Sequence, residues 1–519
     1  MNTAQKHQKR WWILGVMCIV LFIISIDNTV LNLALPSISN SFGATASELQ
    51  WVVDAYTLVF ASLLITTGSI GDRYGRKRLL IIGLVLFGLG SVGAALSVSV
   101  FMLILFRGLL GLAGALIMPS TLSILTDVFR DPGERAQSIA IWSSIFSIGA
   151  GIGPIIGGVL IQRYNWSSVF YLNLPIVLIG ILGGLLLVPE SSDKETPKPD
   201  VPGVLLSITG LLSLVYGMIR AGEHGWTSGG VLLSFAVALV FLAAFIWWEN
   251  RSPHPMLPLY FFKNMSFTGA NVTLTISSFA MMGAMYFFSQ YFQSVQGFSP
   301  LISSLYMFPL TPIIFVSTLT SVRVNRKLGT RATMSIGLLL SGAGLFLFSQ
   351  LAGIHTPYWH MLLVLLVMGS GMGLTMSPAT NAVMNSLPPN RAGIGSAMND
   401  TTRQLGGALG VAVLGALMNG VYRTGVSGLS RLESITEPVL ELIRSSIQNA
   451  HMIAAEMSQD VSLLVVHTSS QAFVDGVREA FFIASIIMVI AAIASWTLIP
   501  INEGKAQPIA DTLAKEVGE

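Results

Sequence analysis

The stretch Gly68-Ser-Ile-Gly-Asp-Arg-Tyr-Gly-Arg-Lys-Arg-Leu-Leu80 sets four cations, Arg73, Arg76, Lys77 and Arg78, between two long apolar runs. Each flanking run holds the roughly 20 apolar residues that carry a helix across hydrocarbon, and nothing this polar is stable inside it. The island is therefore a tight loop at a membrane face. Its cations place that face on the cytoplasmic side. Gly75 allows the close turn, and Asp72 is placed to cap a helix or attract nearby cations. On charge alone the loop needs no role beyond setting topology.

The rest of the chain follows the same rule. Apolar runs recur near 12–35, 49–70, 79–97, 101–118, 137–160, 169–188, 201–219, 230–248, 267–290, 301–322, 333–351, 361–381, 393–418 and 479–499. They predict fourteen spans with both termini on one side. Twenty of the 28 Lys and Arg residues then fall on the side of the island, which makes both termini cytoplasmic. Only 10% of the residues are charged and mean hydropathy is +0.71, which excludes a soluble globular protein. The single cysteine, Cys18, excludes a disulfide framework and a thiolate metal site. No nucleotide-binding loop or hydrolase signature is present, so an ATP-driven pump in one chain is excluded.

Gly114-Ala-Leu-Ile-Met-Pro119 is echoed by Gly373-Leu-Thr-Met-Ser-Pro378, Arg135-Ala136 by Arg391-Ala392, and Gly75 by Gly329. Offsets this uniform predict a duplicated six-helix unit. The expected organisation is a first bundle at 1–188, a Pro-rich hydrated linker with two additional helices at 189–264, a second bundle at 265–500 and a tail at 501–519. Residues 420–477 are too polar to span. Val439, Leu442, Ile443, Ile447 and Ile453 at helical spacing predict an ordered external lid there.

Charged and small residues inside the spans are the candidate site. Asp27 lies nine residues before Pro36, about 13 Å from the outer face if the span ends there. Asp54 and Arg107 fall at similar depth, and Asp400 lies in the thirteenth run with Arg403 one turn on. An intramembrane arginine needs a carboxylate partner unless it snorkels to the interface. Both Asp27 and Asp54 are within reach by residue counting. Asp27 also suits a cap at a kink, Asp54 a purely structural partner, and Asp400 local neutralisation by Arg403. Gly149, Gly153 and Gly157 form a small-residue stripe with Pro154 and Gly158 beside it, a close-packing seam if nothing more. Tyr56, Trp142, Met282, Tyr286 and Tyr306 suit either an adaptable apolar cavity or ordinary helix packing.

These motifs together resemble the major facilitator superfamily. Gly68, Asp72, Gly75, Arg76 and Lys77 match its loop between the second and third helices. Gly149 to Gly158 reads as the Gly-x-x-x-Gly-Pro-x-x-Gly-Gly pattern of its antiporters, and Leu103 to Gly111 resembles its fourth-helix arginine motif with Leu110 in place of Gln. Asp27-Asn-Thr-Val-Leu-Asn-Leu-Ala-Leu-Pro36 is similar to the signature of the fourteen-span drug:proton antiporters, among them the quaternary-ammonium exporters. The thirteenth helix departs from those exporters, because Asn399-Asp400-Thr-Thr-Arg403 keeps one acid and adds a cation.

The resemblance implies an all-α polytopic fold of two six-helix bundles with two extra helices between them, in a bacterial plasma membrane. It implies proton-coupled export of lipophilic, cationic small molecules, with Asp27, Asp54, Arg107 and Asp400 in coupling and the charged loop controlling conformation. The proton gradient is the energy source, and no cofactor, metal or nucleic acid is expected. The implied partners are substrate, protons and lipid, and a monomer is expected to suffice. The competing functions are a lipid or fatty-acid exporter, the inner-membrane subunit of a larger efflux assembly and, more distantly, a membrane-embedded enzyme.

Overall fold

The computed structural model describes residues 3–192, 200–252, 255, 259–386, 392–432 and 434–500, and every regular element among them is helical. The linker residues 193–199, Arg391 and the tail 501–519 lie outside the described residues, as do the side chains of Asp72 and Arg135. Eleven helical stretches among the described residues are long and apolar enough to cross a membrane. One of them, Pro300–Leu351, is 52 residues long and bends midway.

The chain divides into two compact units, one of residues 1–208, 252–256 and 297–305, the other of 209–251, 257–296 and 306–519. In the first, α1 (Thr3–Phe42) packs on α5 (Pro132–Arg163) and α7 (Asn173–Leu187). In the same unit α2 (Ala46–Tyr74) packs on α4 (Val100–Val128), and α4 on α3 (Arg76–Ala95). The short α6 (Ser168–Tyr171) precedes α7, and α8 (Val201–His224) and α9 (Gly229–Glu249) follow it. In the second unit α10 (Met265–Gln290) packs on α14 (Ala392–Val426), and α12 (Leu310–Leu351) on α13 (Tyr358–Asn385) and α17 (Gln459–Leu498). The short α11 (Pro300–Met307) precedes α12.

The internal echoes have structural counterparts. Gly75 joins α2 to α3 at φ +121°, and Gly329 bends α12 at φ +79°, backbone that side chains beyond Cα disfavour. Pro119 and Pro378 both lie inside helices.

One sequence expectation is corrected. Helix α1 does not end at Pro36 but runs on to Phe42, because membrane helices absorb a proline where neighbours satisfy the freed carbonyl. Asp27 therefore sits near the middle of the 34-residue stretch Lys9–Phe42. The expected span at 169–188 is present as Ser168–Leu187, with a one-residue turn at Leu172 between α6 and α7 three residues before Pro175, which has no N–H to continue the ladder. At the two ends of the linker, buried Asp200 accepts a bond from the Gly203 N–H at the start of α8, and exposed Glu190 clasps the charged loop.

Segment 420–477 is ordered wherever it is described. α14 reaches Val426, α15 (Glu437–Ser445) and α16 (Ile447–Ala454) follow, and α17 begins at Gln459. Ile443 and Ile447 are buried as the spacing predicts, whereas Leu442 faces outward. The Tyr422 hydroxyl donates to the Ile443 carbonyl at 2.9 Å, and Gln448 donates to Gln290 and Ser294 of the α10 end at 3.2 and 3.1 Å. Arg444 bonds Glu437 and Glu441, and its hydrogen bond holds the Glu441 carboxyl below its usual range. His451 of α16 sets Nε2 3.2 Å from the Ser470 hydroxyl of α17, and burial pushes its imidazole below the ordinary 6.5.

Both shifts act in one direction. A base with a lowered folded pKa, like an acid with a lowered one, leaves the folded state binding fewer protons than the unfolded. Stability is therefore present at neutral pH and is lost as pH falls. Limited proteolysis of 427–458 is expected to accelerate between about pH 7 and pH 5, the range in which a histidine charges. His451→Gln should flatten that dependence, and an unchanged pH profile in the variant would remove His451 from the account.

Candidate functional site

The first unit brings together most of the charged residues singled out in the sequence. Arg107, only 1% exposed, donates from Nη1 to Asp27 Oδ2 at 2.6 Å and from Nε to the Val52 carbonyl at 3.1 Å. Its guanidinium lies 4.5 Å from the centroid of the Tyr56 ring, adding a cation–π contact to the ion pair. The other Asp27 oxygen accepts from Asn173 Nδ2 at 3.3 Å, and the same amide donates to Ser91 Oγ at 3.0 Å. Asn173 was not anticipated. It is the one amide in its apolar run and opens α7, two residues before Pro175, where it reaches Asp27.

Backbone packing fixes this geometry. One turn beyond Arg107, Gly111 lets α4 lie directly on α2, where any Cβ would run into the Tyr56 carbonyl. That approach brings Arg107 within reach of Val52 and Tyr56. On the opposite side of Asp27, the α5 stripe seats α1: Gly149 faces Phe22 and Ser25, Gly153 faces Ile26 and Thr29, and Gly157 faces Val30. The seam thus grips the two turns of α1 that carry Asp27. Pro154 lies inside α5, and Gly158 faces Leu301 and Ser304.

Asp54 is fully buried, but neither of its carboxyl oxygens has a hydrogen-bond partner among the described residues. Arg107 is thus bound to Asp27 rather than Asp54.

In the charged loop Lys77 and Arg78 meet Glu190, whose carboxylate accepts from the Lys77 N–H at 3.1 Å and lies 3.6 Å from Arg78. The anion caps the start of α3, where the helix dipole favours it. Gly75 makes room for it, since a Cβ there would lie 2.8 Å from Glu190 Oε1. Lys77 Nζ donates to the Leu185 carbonyl, and Arg76 to that of Ser123. Gly68 rests against Pro119. Glu190 escaped the sequence reading because it begins a stretch that reads as linker.

In the second unit Asp400 and Arg403 lie one turn apart on α14. Gly406 and Gly410 of that helix seat α10 at Thr275 and Phe279, an echo of the α5 stripe on α1. Met282 packs toward Gly407, Tyr286 is buried edge-on to Phe287, and Tyr306 lies 4.2 Å from the Tyr358 ring. Trp142 is 9% exposed with its ring N–H unbonded among the described residues.

Residues 17–411 match the Major Facilitator Superfamily. The chain is similar to the multidrug efflux pump LfrA of Mycolicibacterium smegmatis, 33% identical over 491 residues that cover 95% of this chain and 96% of LfrA. It is 32% identical to the multidrug resistance protein Stp of Mycobacterium tuberculosis, over 92% of this chain and 90% of that one. It is 31% identical to the tetracenomycin C resistance and export protein of Streptomyces glaucescens, over 94% and 91%. Its fold is similar to that of a bacterial homologue of the human lysosomal transporter Spinster, with a TM-score of 0.64 at 17% identity over 95% of this chain and 98% of that one. The family match, the relatives and the fold agree: the chain is a multi-pass membrane protein of the Major Facilitator Superfamily.

Proposed function

We propose that the protein is a secondary active exporter of lipophilic, cationic compounds, driven by proton entry through alternating access. The observation that carries this reading is the buried Asp27–Arg107 pair, gripped on one side by the α5 glycine seam and on the other by α4. A charged pair in mid-membrane is costly to keep and marks a proton or ion path. The names of the relatives, efflux pumps and drug-resistance proteins, support export of small molecules.

In this reading the two carboxyls have different tasks. Asp27 is answered by Arg107 and Asn173, while Asp54, two residues from Val52 and with neither oxygen bonded among the described residues, is available to a proton or a cationic substrate. Each proton moved inward supplies about 2.3 kcal/mol per 100 mV. Asp72, Arg76 and the Glu190 clasp bias the conformational equilibrium, because contacts made in one state only shift populations. Asp400, Tyr56, Trp142, Met282, Tyr286 and Tyr306 are proposed to meet substrate.

Counting α2, α5 and both halves of the bent α12 as passes yields fourteen, with both termini cytoplasmic in a bacterial plasma membrane. The chain is proposed to act as a monomer without a cofactor. The test is purified protein in liposomes with an imposed pH gradient and a lipophilic cationic dye. Gradient-dependent dye export supports the reading, and dye movement indifferent to the gradient overturns it.

A further inference from the structure

The second unit contains a cavity that the transport reading does not use. About 470 Å³ in volume, it lies beside the Gly329 bend and is lined by Asn325, Leu328, Thr330, Arg331, Trp496 and Pro500 among others. Among the described residues its one charged lining residue is Arg331, whose guanidinium lies 4.2 Å from the Trp496 ring centroid and whose buried Nε has no partner there. The Asn325 side-chain oxygen is likewise buried and unbonded. The walls are firm. Met334, one turn beyond Arg331, and Ile499, next to Pro500, belong to a buried apolar cluster, and Ser335 Oγ donates to the Ala492 carbonyl at 3.0 Å.

Charge distinguishes this bend from its counterpart at Gly75. There Glu190 answers Lys77 and Arg78; here Arg323, Arg326, Lys327 and Arg331 form no ion pair among the described residues. The helices that frame the cavity also present apolar side chains outward: Phe315, Leu319 and Val322 on α12, and Val489, Ile493 and Trp496 on α17. Cations without a counter-charge among the described residues, a tryptophan at a helix end and outward apolar stripes together describe a molecule with an anionic head and hydrocarbon tails.

We propose that this cavity binds the phosphate-bearing headgroup of an anionic phospholipid. Arg331, its guanidinium over the Trp496 ring, presents its N–H groups to the phosphate oxygens. Arg323, Arg326 and Lys327, on α12 just before the Gly329 bend and outside the cavity lining, add longer-range attraction, and the acyl chains lie along the α12 and α17 stripes.

The site is tested by lipid retention on purified full-length protein, which does not depend on transport. Protein in mixed phosphatidylglycerol–phosphatidylcholine nanodiscs is extracted, and its bound lipid is measured by mass spectrometry. Wild type should retain phosphatidylglycerol over phosphatidylcholine, and Arg331→Gln should lower that preference about five-fold, the factor one basic side chain contributes beside an anionic surface. Trp496→Leu should lower it as well. Arg331→Lys should restore part of it, which recovery from a folding defect would not produce. Equal retention of the two lipids, or full retention in Arg331→Gln, overturns the proposal. Displacement of the lipid by millimolar inorganic phosphate also overturns it, because the site would then recognise a small free anion.

Discussion

Asp27→Asn is expected to reduce gradient-driven export to the level of empty vesicles while leaving the protein inserted. The substitution keeps the shape of the side chain and removes the only carboxylate within ion-pair distance of Arg107 among the described residues. A buried cation stripped of its partner costs about 3–5 kcal/mol. The low end applies here, because the asparagine oxygen still accepts from Nη1, and the Val52 carbonyl and Tyr56 ring remain. The variant should therefore fold less stably yet bind dye, with coupling lost. Adding Arg107→Leu should recover stability without recovering export, since the unpaired charge is gone and the proton site is not restored. Proton-driven export retained by Asp27→Asn would remove this carboxylate from the mechanism.

Gly111→Ala is expected to be the most damaging single methyl group in the first unit. Its Cβ would meet main chain, the Tyr56 carbonyl and Cα, which cannot swing aside as a side chain would. Overpacking of this kind costs about 1–3 kcal/mol. It also shifts α4 on α2, pulling Arg107 from the Val52 carbonyl, so transport should fall at least tenfold, about 1.4 kcal/mol of barrier. Gly108→Ala, three residues earlier, meets nothing within 4 Å and should be silent. Gly114→Ala meets the Phe60 ring and Tyr56 hydroxyl, which can yield, and should fall between. Thermal stability and initial export rate for the three variants test the ranking; equal effects would show that helix propensity, not the approach of α4 to α2, governs the region.

The parts of the site legible in the sequence were those that break a pattern. Asp27, Asp54 and Arg107 stand out because charge is costly in apolar runs, and the α5 stripe because glycine recurs at i, i+4, i+8. Pairing was not legible, because residue counting left Asp27 and Asp54 equally available to Arg107. The choice depends on how closely α4 approaches α2, which Gly111 sets; the arginine motif includes that glycine but does not say which helix it lies against. Asn173 and Glu190 were missed for opposite reasons. Asn173 is a neutral amide whose importance appears only when the start of α7 brings it to Asp27. Glu190 is a charge among other linker charges, and nothing local distinguishes it from a solvated one.

The length of α17 has a mechanical consequence. Its 40 residues make a rod about 60 Å long, against roughly 30 Å of hydrocarbon. One end carries Trp496 over Arg331; nearer the other, Ser470 meets His451 of α16. A rigid rod twice the membrane's thickness is a lever with its fulcrum in the bilayer. A tilt of about 10° sweeps a tip some 30 Å from the pivot through roughly 5 Å, one helical turn. Displacement at the Trp496 end would then reach the α16 contact at Ser470 reversed in sign and about half as large, because that contact lies nearer the pivot.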